Sequence, residues 1–286
     1  MITFRALAWI LLGTTLLGTE IEATSPTRAE RRLTEAAEAI LHADYRGDRA
    51  ELGRRARELA TPTRPELAKY RDYWIGFAYW RRALNGFNES PTPSDLSSDL
   101  TLGAAALRRA LEVDPAFEDA QSALVGCLMN QMYLASAAPE AERQKILDEA
   151  LPLMRGLRDS GSDNPRTLWI LGGSAMSAPP PWGGDLVKAT AIYERGLAGA
   201  RREAVGGPRA PWEPTWGAPE VMMSLAWMHS HLGTPDRDLA RAWALAALAM
   251  APDWHYVGDI LLPQIEALPA AGAAVAAAPA CTPPGS

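Results

Sequence analysis

The chain has 286 residues and a formal net charge of −6, with 48% hydrophobic and 22% charged residues. This length allows one or two domains, and the composition is that of a folded protein rather than a disordered one. The acidic balance argues against a general nucleic-acid-binding protein, because contacts to phosphates require a basic surface.

Residues 1–23 have the pattern of a secretory signal peptide. Arg5 supplies a short positive region, and residues 6–17 form an apolar run that is too short to span a bilayer as a helix. Glu20 ends the apolar character, and we expect cleavage after Ala23. An uncleaved N-terminal anchor is the alternative. In either case we predict a periplasmic or secreted protein.

Helical signals follow one another from residue 27 to residue 268. Apolar residues recur at three- and four-residue spacing, and Gly, Pro and Asp interrupt them where one helix ends and the next begins. Asp48 and Asp185 stand where a side-chain cap is expected at a helix start. The predicted helices are residues 27–45, 49–60, 66–87, 95–113, 116–135, 140–158, 165–176, 186–202, 220–232, 236–250 and 256–268.

No alternating strand pattern is present, so the sequence predicts an all-α fold. Small residues and leucines recur near the ends of every second helix at intervals of 40 to 52 residues. Recurring helical pairs of this kind are typical of an α-solenoid, because each pair must stack on its neighbours to bury its apolar face. We predict a helical repeat domain over residues 24–268 and a disordered Ala/Pro-rich tail over residues 269–286.

The chain has two cysteines, and their spacing is not that of a metal site. Cys127 lies in an apolar helical run, and Cys281 lies in the Ala/Pro-rich tail. An oxidising compartment would permit a disulfide between them, whereas a free buried Cys127 is the alternative that we favour.

Two segments resemble the tetratricopeptide repeat (TPR). Residues 225–233 (LAWMHSHLG), followed by Ala240, Ala244, Ala247 and Pro252, are similar to the repeat's order of small and large side chains, and residues 110–115 (ALEVDP) are similar to its end. The resemblance implies a right-handed solenoid of TPR-like hairpins. The intervals here exceed the roughly 34 residues of a plain repeat, and long linkers account for the excess.

A narrower resemblance lies around residue 184. The sequence of residues 182–189 (WGGDLVKA), followed by residues 193–197 (YERGL), is similar to a turn found in exported helical-repeat proteins. These include the T-component of tripartite ATP-independent periplasmic (TRAP) transporters. The resemblance implies a periplasmic helper that holds a ligand or contacts membrane-associated transport components. The lipobox cysteine of that group is not found after the apolar run.

No set of residues with the spacing of a catalytic or metal site stands out. His229 and His231 are two residues apart on one predicted helix, so they point in different directions and cannot hold one metal together. Gly172, Gly173 and Ser174 lie inside a predicted helix rather than at a nucleophile elbow. We therefore predict no enzymatic activity and no cofactor.

Tryptophan is the one unusual residue class, with ten in the chain. Those inside helices are expected in the core, whereas those in linkers could line a groove and stack on a ligand. The alternative is that the linker tryptophans pin long loops onto the helices. The candidate ligand- or partner-binding residues are Trp182, Asp185, Trp216, His229, Trp254, His255 and Tyr256.

From these patterns we expect a non-enzymatic scaffold that mediates protein–protein interaction in the cell envelope. A small-ligand-binding accessory protein of a periplasmic transport system is the alternative. A closed cavity lined by the linker tryptophans would favour the ligand, and an open face with apolar patches would favour a protein partner.

Overall fold

The computed structural model describes residues 25–89, 92–207 and 209–269. The predicted signal peptide lies outside these residues, as does the predicted tail apart from residue 269. The described part is all-α, with 76% helix and no strand. Its helices are α1 (Arg28–Tyr45), α2 (Arg49–Leu59), α3 (Ala68–Gly86), α4 (Leu96–Val113), α5 (Glu118–Leu134), α6 (Glu140–Asp159), α7 (Pro165–Ser177), α8 (Leu186–Val205), α9 (Ala218–His231), α10 (Arg237–Met250) and α11 (Leu262–Glu266).

The helix starts follow from capping residues. Thr27 begins α1 with a capping box, in which its side chain accepts from the backbone of Glu30 and the Glu30 carboxylate accepts from the backbone of Thr27. Asp48 begins α2 by accepting from the backbone N–H of Glu51, at 2.9 Å, which confirms the predicted cap. Asp236 begins α10 in the same way.

The last predicted helix differs from its expected form. Residues Tyr256–Leu261 form a π-helical turn, and only Leu262–Glu266 form an α-helix. Pro263 has no N–H, so it cannot donate the usual bond to the carbonyl of Asp259. The π-helical turn of residues 256–261 therefore lies directly before the point at which the series of α-helical hydrogen bonds is interrupted.

Each helix packs against the next one along the chain, and the odd-numbered helices from α1 to α9 also pack against one another in order. Small residues allow the closest of these contacts. At Gly76 on α3 a Cβ would lie 2.5 Å from the Leu107 side chain of α4, and at Gly126 on α5 it would lie 2.4 Å from the Trp80 ring of α3. The helices therefore pack in repeat-like pairs.

The main hydrophobic core runs through α1 to α5, and separate clusters hold α7 to α9 together and α9 to α11 together. Cys127 is fully buried in the main core, and its thiol donates to the carbonyl of Leu100 at 3.1 Å. Cys281 lies outside the described residues. None of the described helices is both long and apolar enough to cross a membrane.

Candidate functional site

The predicted turn before α8 is a tight connection that ends in a helix cap. The Asp185 carboxylate accepts from the backbone N–H of Val187 at 2.8 Å and from that of the next residue at 3.1 Å. Gly184 is required by space, because a Cβ there would lie 1.7 Å from the carbonyl oxygen of Ala178. Asp185 therefore caps α8, as its position in the sequence predicts. Trp182 lies in the short 3-10 turn just before, and its side chain is outside the described part of the structure.

The cluster after α10 contains three of the predicted residues. Trp254 is only 3% exposed and packs against Tyr45 of α1, with ring centroids 5.1 Å apart. His255 is exposed, and its Nδ1 lies 2.7 Å from a carboxylate oxygen of Asp259. Tyr256 is half-buried, and burial raises the pKa of its hydroxyl. The Trp254 ring thus joins the turn after α10 to α1.

Trp216 and His229 lie apart from that cluster. Trp216 is 2% exposed and belongs to the main core, whereas Trp254 belongs to the cluster of α9 to α11. His229 is half-buried on α9. Trp216 and Trp254 therefore lie in different clusters, and each packs a connecting segment against the helices.

The segment that carries Trp216, residues 209–217, lies across one face of the odd-numbered helices. We call this face the aromatic face; it consists of Tyr70, Tyr73, Trp74, Phe77 and Trp80 of α3 and Trp169 of α7. The Trp216 indole N–H donates to the hydroxyl of Tyr73 at 2.6 Å. Its ring lies 5.2 Å from that of Phe77 and 5.6 Å from that of Trp169, measured between centroids. Edge-to-face and tilted contacts of this kind add to the burial of apolar area.

The same face also holds the earlier part of the segment. The indole N–H of Trp74 donates to the carbonyl of Trp212 at 2.8 Å. The hydroxyl of Tyr70 donates to the Glu213 carboxylate at 3.4 Å. The segment is therefore attached to α3 at two further points, one through its backbone and one through its acidic side chain.

A buried arginine fixes the end of the segment. Arg166 of α7 is 1% exposed, and its guanidinium donates to Asp119, to Glu203 and to the carbonyl of Trp216, at 2.6, 2.6 and 3.0 Å. Burial disfavours its charge, but the two carboxylates outweigh burial and raise the pKa of Arg166. An arginine that is both buried and multiply bonded orders α5, α7, α8 and the segment together.

An open groove of about 350 Å³ lies beside the segment. Its lining is largely apolar and includes Leu197 of α8, Met222 of α9 and Met250 at the end of α10, which is 56% exposed. Two arginines and a glutamate also line it: Arg209 pairs with Glu203 at 2.9 Å, whereas Arg201 has no ion-pair partner among the described residues. Trp216 forms part of the wall, so the groove depends on the seated segment.

A comparison with protein-family models finds no match for this chain, and comparisons with the curated proteins and with the solved structures find none either. The proposals below therefore depend on the geometry of the chain itself.

A second buried polar centre joins α1, α3 and α9. Arg81 lies between the carboxylates of Asp44, at 2.7 Å, and Glu220, at 3.9 Å. The hydroxyl of Tyr45 donates to Glu220 at 3.1 Å, and the backbone N–H of Gly217 donates to it at 2.8 Å. Burial raises the pKa of Glu220, although the charge of Arg81 acts in the opposite direction.

Arg81 and Arg166 were not among the residues predicted from the sequence. Arg81 directly follows Trp80 in a helix rich in aromatic residues, and Arg166 stands two residues before Leu168 near the start of α7, so each charge lies beside apolar positions of its helix. A charge at such a position must find a buried partner, and this is a signal that the sequence contains. The partner glutamates, Glu220 for Arg81 and Glu203 for Arg166, are far away along the chain, so the sequence does not identify them.

Proposed function

We propose that the chain is a non-enzymatic scaffold built as a right-handed solenoid of TPR-like hairpins. The ordered contacts among the odd-numbered helices support this arrangement. Further support comes from the small residues between paired helices, such as Ala226 of α9 with Ala240, Ala244 and Ala247 of α10, all fully buried. They lie in the segment whose sequence resembles the repeat.

We place this scaffold in the cell envelope or outside the cell. The support is the charge and hydropathy pattern of residues 1–23, which is that of an export signal. The partner is then an envelope protein, and a membrane-associated transport component is one candidate of this class.

The binding site that we propose is the groove beside the 209–217 segment. The observation that carries this proposal is its largely apolar lining together with Arg201, which has no ion-pair partner in the described part of the chain. Methionine side chains such as Met222 and Met250 adapt their shape to a partner. Arg201 would pair with an acidic group. These features fit a partner protein that inserts an apolar side chain and presents a neighbouring carboxylate.

A small ligand is the second candidate, and the volume of the groove favours it. About 350 Å³ lies at the lower end of the range of small-molecule pockets, roughly 300 to 1,000 Å³. An apolar molecule with one anionic group would match the apolar lining and Arg201. This function corresponds to an accessory protein that delivers a ligand to a transport system.

A photo-crosslinking residue at position 250 tests both functions, with one at position 113 as the matched control. Met250 and Val113 are each the last residue of a helix, and they are 56% and 53% exposed. In the native envelope, position 250 should give a protein adduct of defined mass that position 113 does not give, and Arg201→Glu should remove it. Identical adducts at both positions would contradict a binding role for the groove.

The small-ligand function gives a different result in the same variants. Anilinonaphthalene sulfonate, an apolar anion, should then bind the protein and raise its melting temperature, because a ligand selective for the native state stabilises it. Met250→Glu should abolish this binding, and Val113→Glu should leave it unchanged. Dye binding without any protein adduct at position 250 would favour the ligand over the protein partner.

A further inference from the structure

The first three helices carry an excess of positive charge that the whole chain does not have. Residues 28–86 contain thirteen Arg and Lys but nine Asp and Glu, whereas the chain has a formal net charge of −6. Basic residues that are concentrated in one part of an otherwise acidic chain indicate an anionic partner for that part.

Three of these arginines surround one open cleft of about 330 Å³ between the start of α1, the turn after α2 and the start of α3. We call it the arginine cleft; Arg32 of α1, Arg64 of the turn and Arg71 of α3 line it. The other lining residues are uncharged: Ala29, Leu33, Leu59, Thr61, Pro62 and Thr63. A cleft lined by charges of one sign concentrates ions of the opposite sign, and here apolar side chains lie beside those charges.

Two of the arginines are available to a ligand. Arg32 donates to the backbone carbonyl of Glu58 and has no ion-pair partner among the described residues. Arg64 pairs with Glu66 at 2.5 Å, but both side chains are more than half exposed, and an exposed pair contributes little to stability. The charge of Arg64 also acts on Glu30, whose carboxylate is engaged in the capping box of α1. An anion in the cleft would therefore displace only a weak pair.

Arg71 is the least exposed of the three and is incompletely bonded. Its side chain is 22% exposed and pairs with Asp72 at 2.6 Å, but the same carboxylate also pairs with Arg109 of α4 at 3.3 Å. The Nε of Arg71 is buried and has no hydrogen-bond partner among the described residues. A buried donor without a partner is unfavourable, and an oxyanion in the cleft would supply an acceptor for this guanidinium.

We propose that the arginine cleft binds a phosphate group that is attached to an apolar moiety. Guanidinium groups match phosphate oxygens in paired, charge-assisted hydrogen bonds. Three arginines around one cleft suit the charge of a phosphate monoester, about −2, better than the single charge of a carboxylate. A soluble phosphate ester and the headgroup of an anionic phospholipid share this chemistry. The cleft is lined by other helices than the groove, so this site does not depend on the function proposed for the groove.

Isothermal titration calorimetry of the full chain with phenyl phosphate tests the site. Benzoate, which has the same ring and a carboxylate, is the control ligand and should bind at least about tenfold more weakly. Arg32→Gln and Arg64→Gln should each weaken phenyl phosphate binding at least about tenfold, because each removes a charge-assisted hydrogen bond to the anion. Arg57→Gln is the matched control variant: Arg57 is an exposed arginine of α2 outside the cleft, and its loss should leave binding unchanged.

Vesicle flotation distinguishes the two sources of the phosphate group. The full chain is mixed with vesicles of phosphatidylcholine alone or of phosphatidylcholine with phosphatidic acid. If the ligand is a lipid headgroup, phosphatidic acid should increase the bound fraction of the wild type and of Arg57→Gln, but not that of Arg64→Gln. Binding of phenyl phosphate without any effect of phosphatidic acid would support the site and identify the ligand as a soluble ester.

Three results would overturn the proposal. The first is that phenyl phosphate does not bind saturably to the wild type, and the second is that benzoate binds equally tightly. The third is that Arg57→Gln weakens binding as much as Arg64→Gln, which would show a general effect of charge rather than a site. Circular dichroism checks that each variant is folded. Crosslinking at position 250 should be unchanged in Arg64→Gln, so failure of this site and failure of the groove give different results.

Discussion

Two adjacent glycines on α7 differ in the space around them. A Cβ at Gly172 would lie 2.3 Å from the ring of Tyr193 on α8, whereas one at Gly173 would meet only the Tyr193 hydroxyl, at 3.8 Å. Both are in the middle of a helix, where alanine is favoured over glycine by about 0.5–1 kcal/mol. At Gly172 this gain opposes a steric clash with a buried aromatic ring.

We therefore expect Gly172→Ala to lower the free energy of unfolding by about 1–3 kcal/mol, the usual cost of overpacking. Gly173→Ala should raise it by about 0.5–1 kcal/mol. Urea denaturation of the two variants measures both values, and each serves as the control for the other. Equal effects of the two substitutions would mean that α7 and α8 do not approach each other at Gly172.

The sequence predicts the burial of single residues better than their partners. The helical tryptophans were expected in the core: Trp74 and Trp80 are each 1% exposed, whereas Trp169, Trp227 and Trp243 are half-buried and pack against the core clusters. Trp216 bonds to Tyr73, which is 143 residues away along the chain. Local periodicity contains no information on such a contact. The sequence alone therefore does not decide whether Trp216 fixes a loop onto the helices or lines an open groove.

At the scale of a single element, the cap of α8 permits a direct test of the role of Asp185. Asp185→Ala should lower the free energy of unfolding by about 0.5–2 kcal/mol, because the first backbone N–H groups of α8 lose their acceptor. Asp185→Asn keeps an acceptor oxygen and should cost much less. Chemical denaturation measures both, and crosslinking at position 250 should be unaffected. A loss of that adduct without a loss of stability would instead make Asp185 a binding residue.

The helices themselves are largely predictable because their ends are chemically marked. Asp48, Asp185 and Asp236 cap three of them, and the observed bounds lie within a few residues of the predicted ones. The final helix is the exception. Its apolar spacing predicts one continuous helix, but Pro263 removes a donor in its middle, and the first six residues form a π-helical turn.

For the molecule as a whole, the most informative contacts join the two ends of the described chain. Tyr45 at the end of α1 donates to Glu220 of α9, 175 residues later, and packs against Trp254. Asp44, beside it, shares Arg81 with the same glutamate. Two carboxylates thus face one guanidinium in a buried site. The first helical pair and the last are coupled through a centre whose charge depends on pH.

The pH dependence of stability should therefore differ in sign between the buried Glu220 and the half-buried Glu203. Burial raises the pKa of Glu220 above its ordinary value of 4.5, against the charge of Arg81. The folded state then holds this proton more tightly than the unfolded state does. Its contribution to stability is fully present below the ordinary pKa and is lost as the pH rises through the folded pKa. Glu220→Gln, which stays neutral, should become more stable relative to the wild type as the pH rises.

Glu203 should show the opposite trend. Burial favours its neutral form, but the hydrogen bonds and charge of Arg166 outweigh burial, so the pKa of Glu203 lies below 4.5. Its contribution is present above the ordinary pKa and is lost as the pH falls through the folded pKa. Glu203→Gln should therefore lose stability relative to the wild type as the pH rises. Urea denaturation of all three proteins between about pH 3.5 and about pH 7 measures both trends. Parallel trends would mean that the Arg81 centre does not separate Glu220 from solvent, and that the coupling of the first and last helical pairs is not through a buried charge.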